Sequence, residues 1–161
     1  MKNNTLTPLN DTTIYAYTDG ACQVNLKLGG WGFILKRTNE EGEQKVLQRN
    51  GGARNTTNNK MELTAAINAL QVVLDKHPEK PVVLTTDSKY VIDGINTWIV
   101  NWKKNNWINS SKKSVLNQDL WKQLDELNSK LSVTWKWVKG HSGPPENEQA
   151  DQLATAAIPR K

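Results

Sequence analysis

Cysteine occurs once in the 161 residues, at Cys22, which excludes an intrachain disulfide and any cysteine-cluster zinc site. A lone thiol fits a reducing compartment. No apolar run approaches the roughly 20 residues that a membrane-spanning helix needs. The opening stretch, Met1 to Asp11, carries one lysine and three asparagines and has no apolar core, so it does not read as a signal peptide. Internal repeats, long linkers and low-complexity tracts are missing too. These absences predict a soluble, cytoplasmic chain with one domain over 13–161, preceded by a disordered polar lead over 1–12. A chain of this length buries about 70% of its unfolded surface and folds without staples.

Charge is present and unevenly placed. Lysine and arginine number 21 against 16 acids, a net charge of +5. Between Trp98 and Lys122 stand five lysines (Lys103, Lys104, Lys112, Lys113 and Lys122) against one acid, Asp119, so this window holds +4 of the total. A local basic face of this kind suits an anionic polymer; a merely solvated surface is the alternative.

The residue pattern predicts an α/β layered fold. Ile14 to Asp19, Gly29 to Leu35 and Gln44 to Gly51 are rich in β-formers and read as three strands, with a hairpin turn at 39–42. Leu63, Ile67, Leu70 and Leu74 recur at helical spacing and predict an amphipathic helix over about 59–75. Pro81 to Thr86 is a short apolar run, the kind buried on both faces of a sheet. Helical patterns follow at about 88–99 and 118–130, then a last strand at 133–138 and a last helix at 146–157. That order implies a layered fold with a mixed sheet.

Four acids stand where such elements begin or end. Alternation along the first strand puts Asp19 on one face with Tyr15 and Tyr17. A buried acid there needs a partner, although a turn acid before Gly20 is a common local role. Asp87 closes the apolar strand; it could cap the next helix, or it could face a ligand at the carboxyl end of the sheet. Glu62 with Asn59 resembles a capping box. Asp151 shares a helix face with Asn147, Ala154 and Ile158 and so lies among residues expected to pack on the sheet. Each local reading is ordinary. Were the four to converge, repulsion would forbid four bare carboxylates, and hard divalent cations such as Mg²⁺ would resolve the conflict. Two such ions about 4 Å apart can drive an in-line phosphodiester displacement.

The segments around these acids resemble ribonuclease HI, the bacterial-type ribonuclease H. They are Thr18-Asp19-Gly20-Ala21-Cys22, Thr57-Asn58-Asn59-Lys60-Met61-Glu62-Leu63, Thr85-Thr86-Asp87-Ser88-Lys89-Tyr90-Val91, and Trp137-Val138-Lys139-Gly140-His141-Ser142-Gly143 running on to Asp151. Trp98 to Trp121 is similar to the family's basic protrusion, and the resemblance covers about 13–157 in register. It implies a three-layer α/β/α fold with a five-stranded mixed sheet. It further implies endonucleolytic hydrolysis of the RNA strand of RNA–DNA hybrids, leaving 3′-hydroxyl and 5′-phosphate ends. By the same resemblance Asp19, Glu62, Asp87 and Asp151 hold two Mg²⁺ ions, with Mn²⁺ able to substitute, Asp19 bridges both, and His141 assists proton transfer or product release. Cys22, Asn25, Asn58, Asn59 and Lys89 fall at positions near the RNA strand, whose 2′-hydroxyls distinguish it from DNA. Thr57 and Asn117 match a pocket for a DNA phosphate and Trp98 an aromatic residue against DNA sugars. Trp102, Lys103, Lys104, Lys112 and Lys113 belong to the protrusion. For Trp102, Trp107 and Trp121, core packing is the stronger expectation. His77, beside Pro78 at a helix end, is expected to be exposed.

The sequence also departs from the family. The usual Gly/Pro-rich run before Gly29 is Gln23-Val24-Asn25-Leu26-Lys27-Leu28; a phosphate-pocket arginine falls on Asn55; a second loop histidine is Pro144; a protrusion lysine is Leu116. None touches the four acids. A non-catalytic nucleic-acid-binding module, which the Lys/Trp segment alone would support, and a transposase-type or junction-cutting nuclease on the same fold are the rival readings. The first predicts metal-independent binding without cleavage. The chain is expected to act as a monomer.

Overall fold

A computed structural model describes residues 12–140 and 142–160. The lead expected at 1–12 therefore falls, apart from Thr12, outside the described residues. Five strands form one mixed sheet in the order β3-β2-β1-β4-β5: β1 (Ile14–Gln23), β2 (Leu28–Thr38), β3 (Gln44–Arg54), β4 (Val82–Thr86) and β5 (Val133–Trp137). The first three make an antiparallel meander, and β4 and β5 join parallel to β1 and to each other. Parallel pairing needs crossovers, and α1 (Asn58–Lys76) and α4 (Gln118–Lys130) supply them. Between β4 and α4 run α2 (Lys89–Asp93), a π-helical turn (Gly94–Trp98) and α3 (Ile99–Lys104); α5 (Pro145–Ala157) follows β5.

Alternation along β2 explains the layering. Phe33 and Leu35 join Leu63, Ala66 and Leu70 of α1 in the main core, whose α4 side is Trp121, Leu124 and Leu127. Gly30 and Gly32, on the other face, lie under α5: a Cβ on Gly30 would come within 2.0 Å of the Ala154 carbonyl oxygen, and one on Gly32 within 2.7 Å of Leu153. Only a strand without side chains there lets α5 seat its buried Ala150 and Ala154 on the sheet. No described helix is long and apolar enough to cross a membrane.

Three boundaries differ from the sequence expectation, each for a physical reason. The meander strands run further, because cross-strand pairing continues from Cys22↔Gly29 and Gly29↔Ala53 past the apolar stretch that marks them in sequence. The helix expected over 88–99 is interrupted at Gly94, where a Cβ would sit 2.0 Å from the Trp121 ring; the chain widens into the π turn where that indole presses on it. Thr57, not Asn59, caps α1: its Oγ1 accepts from the Lys60 N–H at 3.2 Å. The hairpin turn at 39–42 forms as predicted, with Asn39 Oδ1 accepting from the Glu41 and Glu43 N–H groups and Gly42 at φ 83°.

Candidate active site

The acids meet where β4 ends beside the middle of β1. Asp19 pairs across the ladder with Gly32, under α5, so its side chain points to the α5 face like Tyr15 and Tyr17, as alternation predicts. Glu62 enters from α1 because the helix presses on β1 at Gly20, where a Cβ would lie 2.5 Å from the Glu62 nitrogen. Glycine at position 20 is what permits this approach. Moving the cap to Thr57 removes the capping-box role from Glu62, which is buried instead of reaching back to the helix start. Asp87 likewise does not cap α2. Ser88 does, its Oγ accepting from the Val91 N–H at 3.1 Å, while the Ser88 N–H donates to Thr86 Oγ1 at 3.0 Å. The Trp137 indole N–H holds the Asp87 carbonyl from β5 at 3.1 Å.

One carboxylate oxygen each from Asp19, Glu62 and Asp87 lies within 4.8 Å of the others. Asp151 joins them from α5, near enough to Asp19 for its charge to act on that carboxyl. The four line a cleft of about 180 Å³ with Gly20, Asn58, Lys139, Gly140, Asn147 and Glu148. Burial, then the neighbouring Asp87 charge, then Asp151 raise the Asp19 pKa to about 8, against a lowering contribution from the Gly20 N–H. Burial and the charges of Asp19 and Asp87 push Glu62 up as well.

Such a cluster resists its own ionisation. Glu62 Oε1 is buried without a hydrogen-bond partner among the described residues. An orphaned oxygen on an acid clustered with two others fits a hard divalent cation, which takes oxygen donors and offsets the repulsion. The donor set suits such an ion better than a softer metal: no histidine, cysteine or methionine is among the described cleft residues.

The other predicted site residues fall around this cleft or along the basic segment. Asn58 and Asn59 are exposed in the first turn of α1, beside Thr57, and Lys89 is exposed at the start of α2, its ammonium 5.2 Å from the Trp137 ring. Cys22 is half-buried, its Sγ 3.7 Å from the Thr56 carbonyl oxygen. Asn25 is exposed in a short turn held by the Leu26 and Lys27 N–H groups. Trp98, Trp102 and Trp121 pack with Tyr90 in one aromatic cluster, with Trp107 tilted against Trp102. Trp121 is fully buried, and Trp102 and Trp107 are half-buried against the core, in line with the packing expectation. Lys104, Lys112 and Lys113 are exposed; Lys103 is tied to Asp125 of α4 at 3.1 Å. Asn117 begins α4 at φ 61° and gives a side-chain N–H to the Tyr90 hydroxyl at 3.1 Å. His141 lies outside the described residues. His77 is half-buried rather than exposed: it terminates α1, its N–H donating to the Val73 carbonyl, because the chain folds back there through Pro78.

Sequence reasoning did not single out Asn147 or Glu148 as cleft residues. The available signal was their place one turn before Asp151 on a helix already assigned to the sheet.

Comparison with known proteins agrees with this geometry. The RNase H family model matches residues 11–159. A protein named Ribonuclease H from Roseobacter denitrificans is 50% identical over 147 residues, 90% of this chain and 95% of that protein. Another, from Pseudomonas putida, is 52% identical over 146 residues, 91% of this chain and 93% of that one. Among solved structures, LC9-RNase H1, described as a type 1 RNase H with the type 2 active-site motif, superposes with a TM-score of 0.81 at 30% identity, over 92% of this chain and 72% of that chain. A foamy viral protease-reverse transcriptase in complex with RNA/DNA hybrid shares the fold, with a TM-score of 0.70 at 21% identity, over 98% of this chain and 21% of that one.

Proposed function

The chain belongs to the RNase H family, and from that premise we propose that it is an endonuclease cutting the RNA strand of RNA–DNA hybrids and leaving 3′-hydroxyl and 5′-phosphate ends. The observation that carries the reading is the convergence of Asp19, Glu62 and Asp87, with Asp151 beside Asp19, in one cleft where the carboxyl end of β4 meets the middle of β1. The hybrid bound by the foamy viral enzyme supports the substrate class.

Asp19, Glu62, Asp87 and Asp151 would hold two Mg²⁺ ions, with Mn²⁺ able to replace them. When bound, such ions activate the attacking water and stabilise the leaving oxygen of an in-line displacement at phosphorus. The chain's own contribution is positioning. Gly20 brings Glu62 to Asp19, and Ser88 with Trp137 fixes the backbone beneath Asp87. His141, ten residues before Asp151, would move a proton at the reacting phosphate or help the product leave.

Substrate contacts divide by strand. Cys22, Asn25, Asn58, Asn59 and Lys89 would read the RNA through short polar groups that suit 2′-hydroxyls in a wide minor groove. Thr57 and Asn117 would take a phosphate of the DNA strand and Trp98 its sugars. Trp102, Lys103, Lys104, Lys112 and Lys113 form the protrusion that grips the backbone. We further place the enzyme in the cytoplasm, acting as a monomer.

The test is product analysis. An internally labelled RNA annealed to DNA is digested in Mg²⁺, and the fragments are treated with polynucleotide kinase with and without prior phosphatase. The reading predicts fragments that accept label only after phosphatase and that a polymerase extends directly. Fragments carrying a 3′-phosphate or a 2′,3′-cyclic phosphate would contradict it.

A further inference from the structure

The basic segment and the catalytic end of β4 share one side-chain joint. Tyr90 stands three residues after Asp87, in the first turn of α2. Its hydroxyl accepts two hydrogen bonds at 3.1 Å each, from Asn117 Nδ2 and from the Trp121 indole. Its ring is wedged between Trp98, 5.7 Å away and near edge-on, and Trp121, 5.2 Å away. The phenol is thereby fixed from three sides, and Asn117 is the partner with freedom left.

Asn117 is built unusually for its place. It occupies the N-cap of α4, where an asparagine oxygen ordinarily accepts from the helix's first N–H groups. Here the residue is in the left-handed region, φ 61° and ψ 29°, and makes no side-chain cap bond. That backbone turns the side chain away from its own helix and across to Tyr90. The amide gives one N–H to the hydroxyl, and its second N–H and its oxygen have no other partner among the described residues. An amide held by one N–H, half-exposed at the end of the lysine-bearing segment, presents its second N–H in a fixed direction. An anionic oxygen is the natural acceptor for such a donor.

We propose that Tyr90 is a positioning residue: its hydroxyl holds the Asn117 amide in the orientation that meets a backbone phosphate, and so registers the basic segment against the catalytic cleft. The inference rests on the function proposed above and adds to it a residue that sets the binding geometry through another.

The test is a double-mutant cycle with Tyr90→Phe, Asn117→Ala and the pair, read as KM and kcat on a labelled hybrid in Mg²⁺. Loss of one orienting hydrogen bond predicts a KM raised about threefold to tenfold in Tyr90→Phe, with kcat changed much less. Asn117→Ala raises KM at least as far, and the pair is no worse than Asn117→Ala alone. Thermal melts supply the control. Tyr90→Phe also takes the acceptor from the buried Trp121 N–H, so Tm falls in both backgrounds, further where Asn117 is there to lose its bond as well, whereas the KM effect disappears in the Asn117→Ala background. A KM unmoved by Tyr90→Phe would overturn the proposal. So would an equal KM effect in both backgrounds, which is what general loosening gives. The same cycle read as Kd, by fluorescence anisotropy of labelled hybrid in chelator, needs no turnover. A protein that bound hybrid without cutting it would therefore sink the proposed activity while this cycle still decided the role of Tyr90.

Discussion

Replacing Asp19 by asparagine removes an ionisable group from the acid cluster and leaves its shape almost unchanged. Metal-free, Asp19 is held at a pKa of about 8 against an ordinary 3.8, first by burial and then by Asp87 and Asp151. Because the folded pKa is raised, the native state binds the proton more tightly than the unfolded chain does. Native stability therefore falls as pH climbs from about 4 to about 8, and the penalty is absent below the unfolded pKa. At pH 7 the linkage relation puts its ceiling at about 4 kcal/mol. For a chain of this size each kcal/mol recovered raises Tm by roughly 2–4 °C. The assay is a thermal melt of wild type and Asp19→Asn in excess chelator, at pH 4.5 and at pH 7.5. The variant gains at pH 7.5, gains little at pH 4.5, and has no turnover on hybrid in Mg²⁺. A Tm unchanged or lowered at pH 7.5, or an equal gain at both pH values, would refute the electrostatic reasoning. Retained activity would show that Asp19 is not in the catalytic set.

Alanine at Lys104, Lys112 and Lys113 together should raise KM and flatten the salt dependence of binding by up to about 0.9 in log–log slope for each phosphate no longer neutralised, read from KM across a salt series. Lys103 should contribute less than these, since it is already paired with Asp125; its single alanine variant checks this in the same series. Gly30→Ala drives a Cβ into the Ala154 carbonyl and should cost about 3 kcal/mol, measured by urea unfolding. Ser88→Ala removes the α2 cap beside Asp87 and should cost about 1 kcal/mol, with a fall in activity beyond the stability loss as the backbone under Asp87 loosens.

The period of the apolar residues made most of the fold legible. Leu63, Ile67 and Leu70 do bury one face of α1, and the Val82–Thr86 run does lie inside the sheet, because burial of those faces is what selected the pattern. Local rules misled where tertiary contacts overrode them. Asn59 and Glu62 satisfy the spacing of a capping box, yet Thr57 stands just ahead and its hydroxyl does the capping, freeing Glu62 for the cleft. Asp87 looks like a cap in sequence, but Ser88 next to it has the geometry. Gly94 reads as a helix interior residue, and nothing local reveals the indole of Trp121 closing on it from 27 positions away. The convergence of the acids lies beyond any local window, since it depends on Gly20 and Gly30 letting α1 and α5 approach the same sheet from opposite sides.

The acid cluster is expected to make this chain a metal-dependent enzyme for one strand of one kind of duplex. The most direct measurement offers it labelled RNA–DNA hybrid, RNA duplex, DNA duplex and single strands in parallel, first with Mg²⁺ and then with excess chelator. Cleavage of the RNA in the hybrid alone, abolished by chelator and restored by added Mg²⁺, is the expected result. Equal cutting of the RNA duplex, or cleavage that persists in chelator, would contradict it.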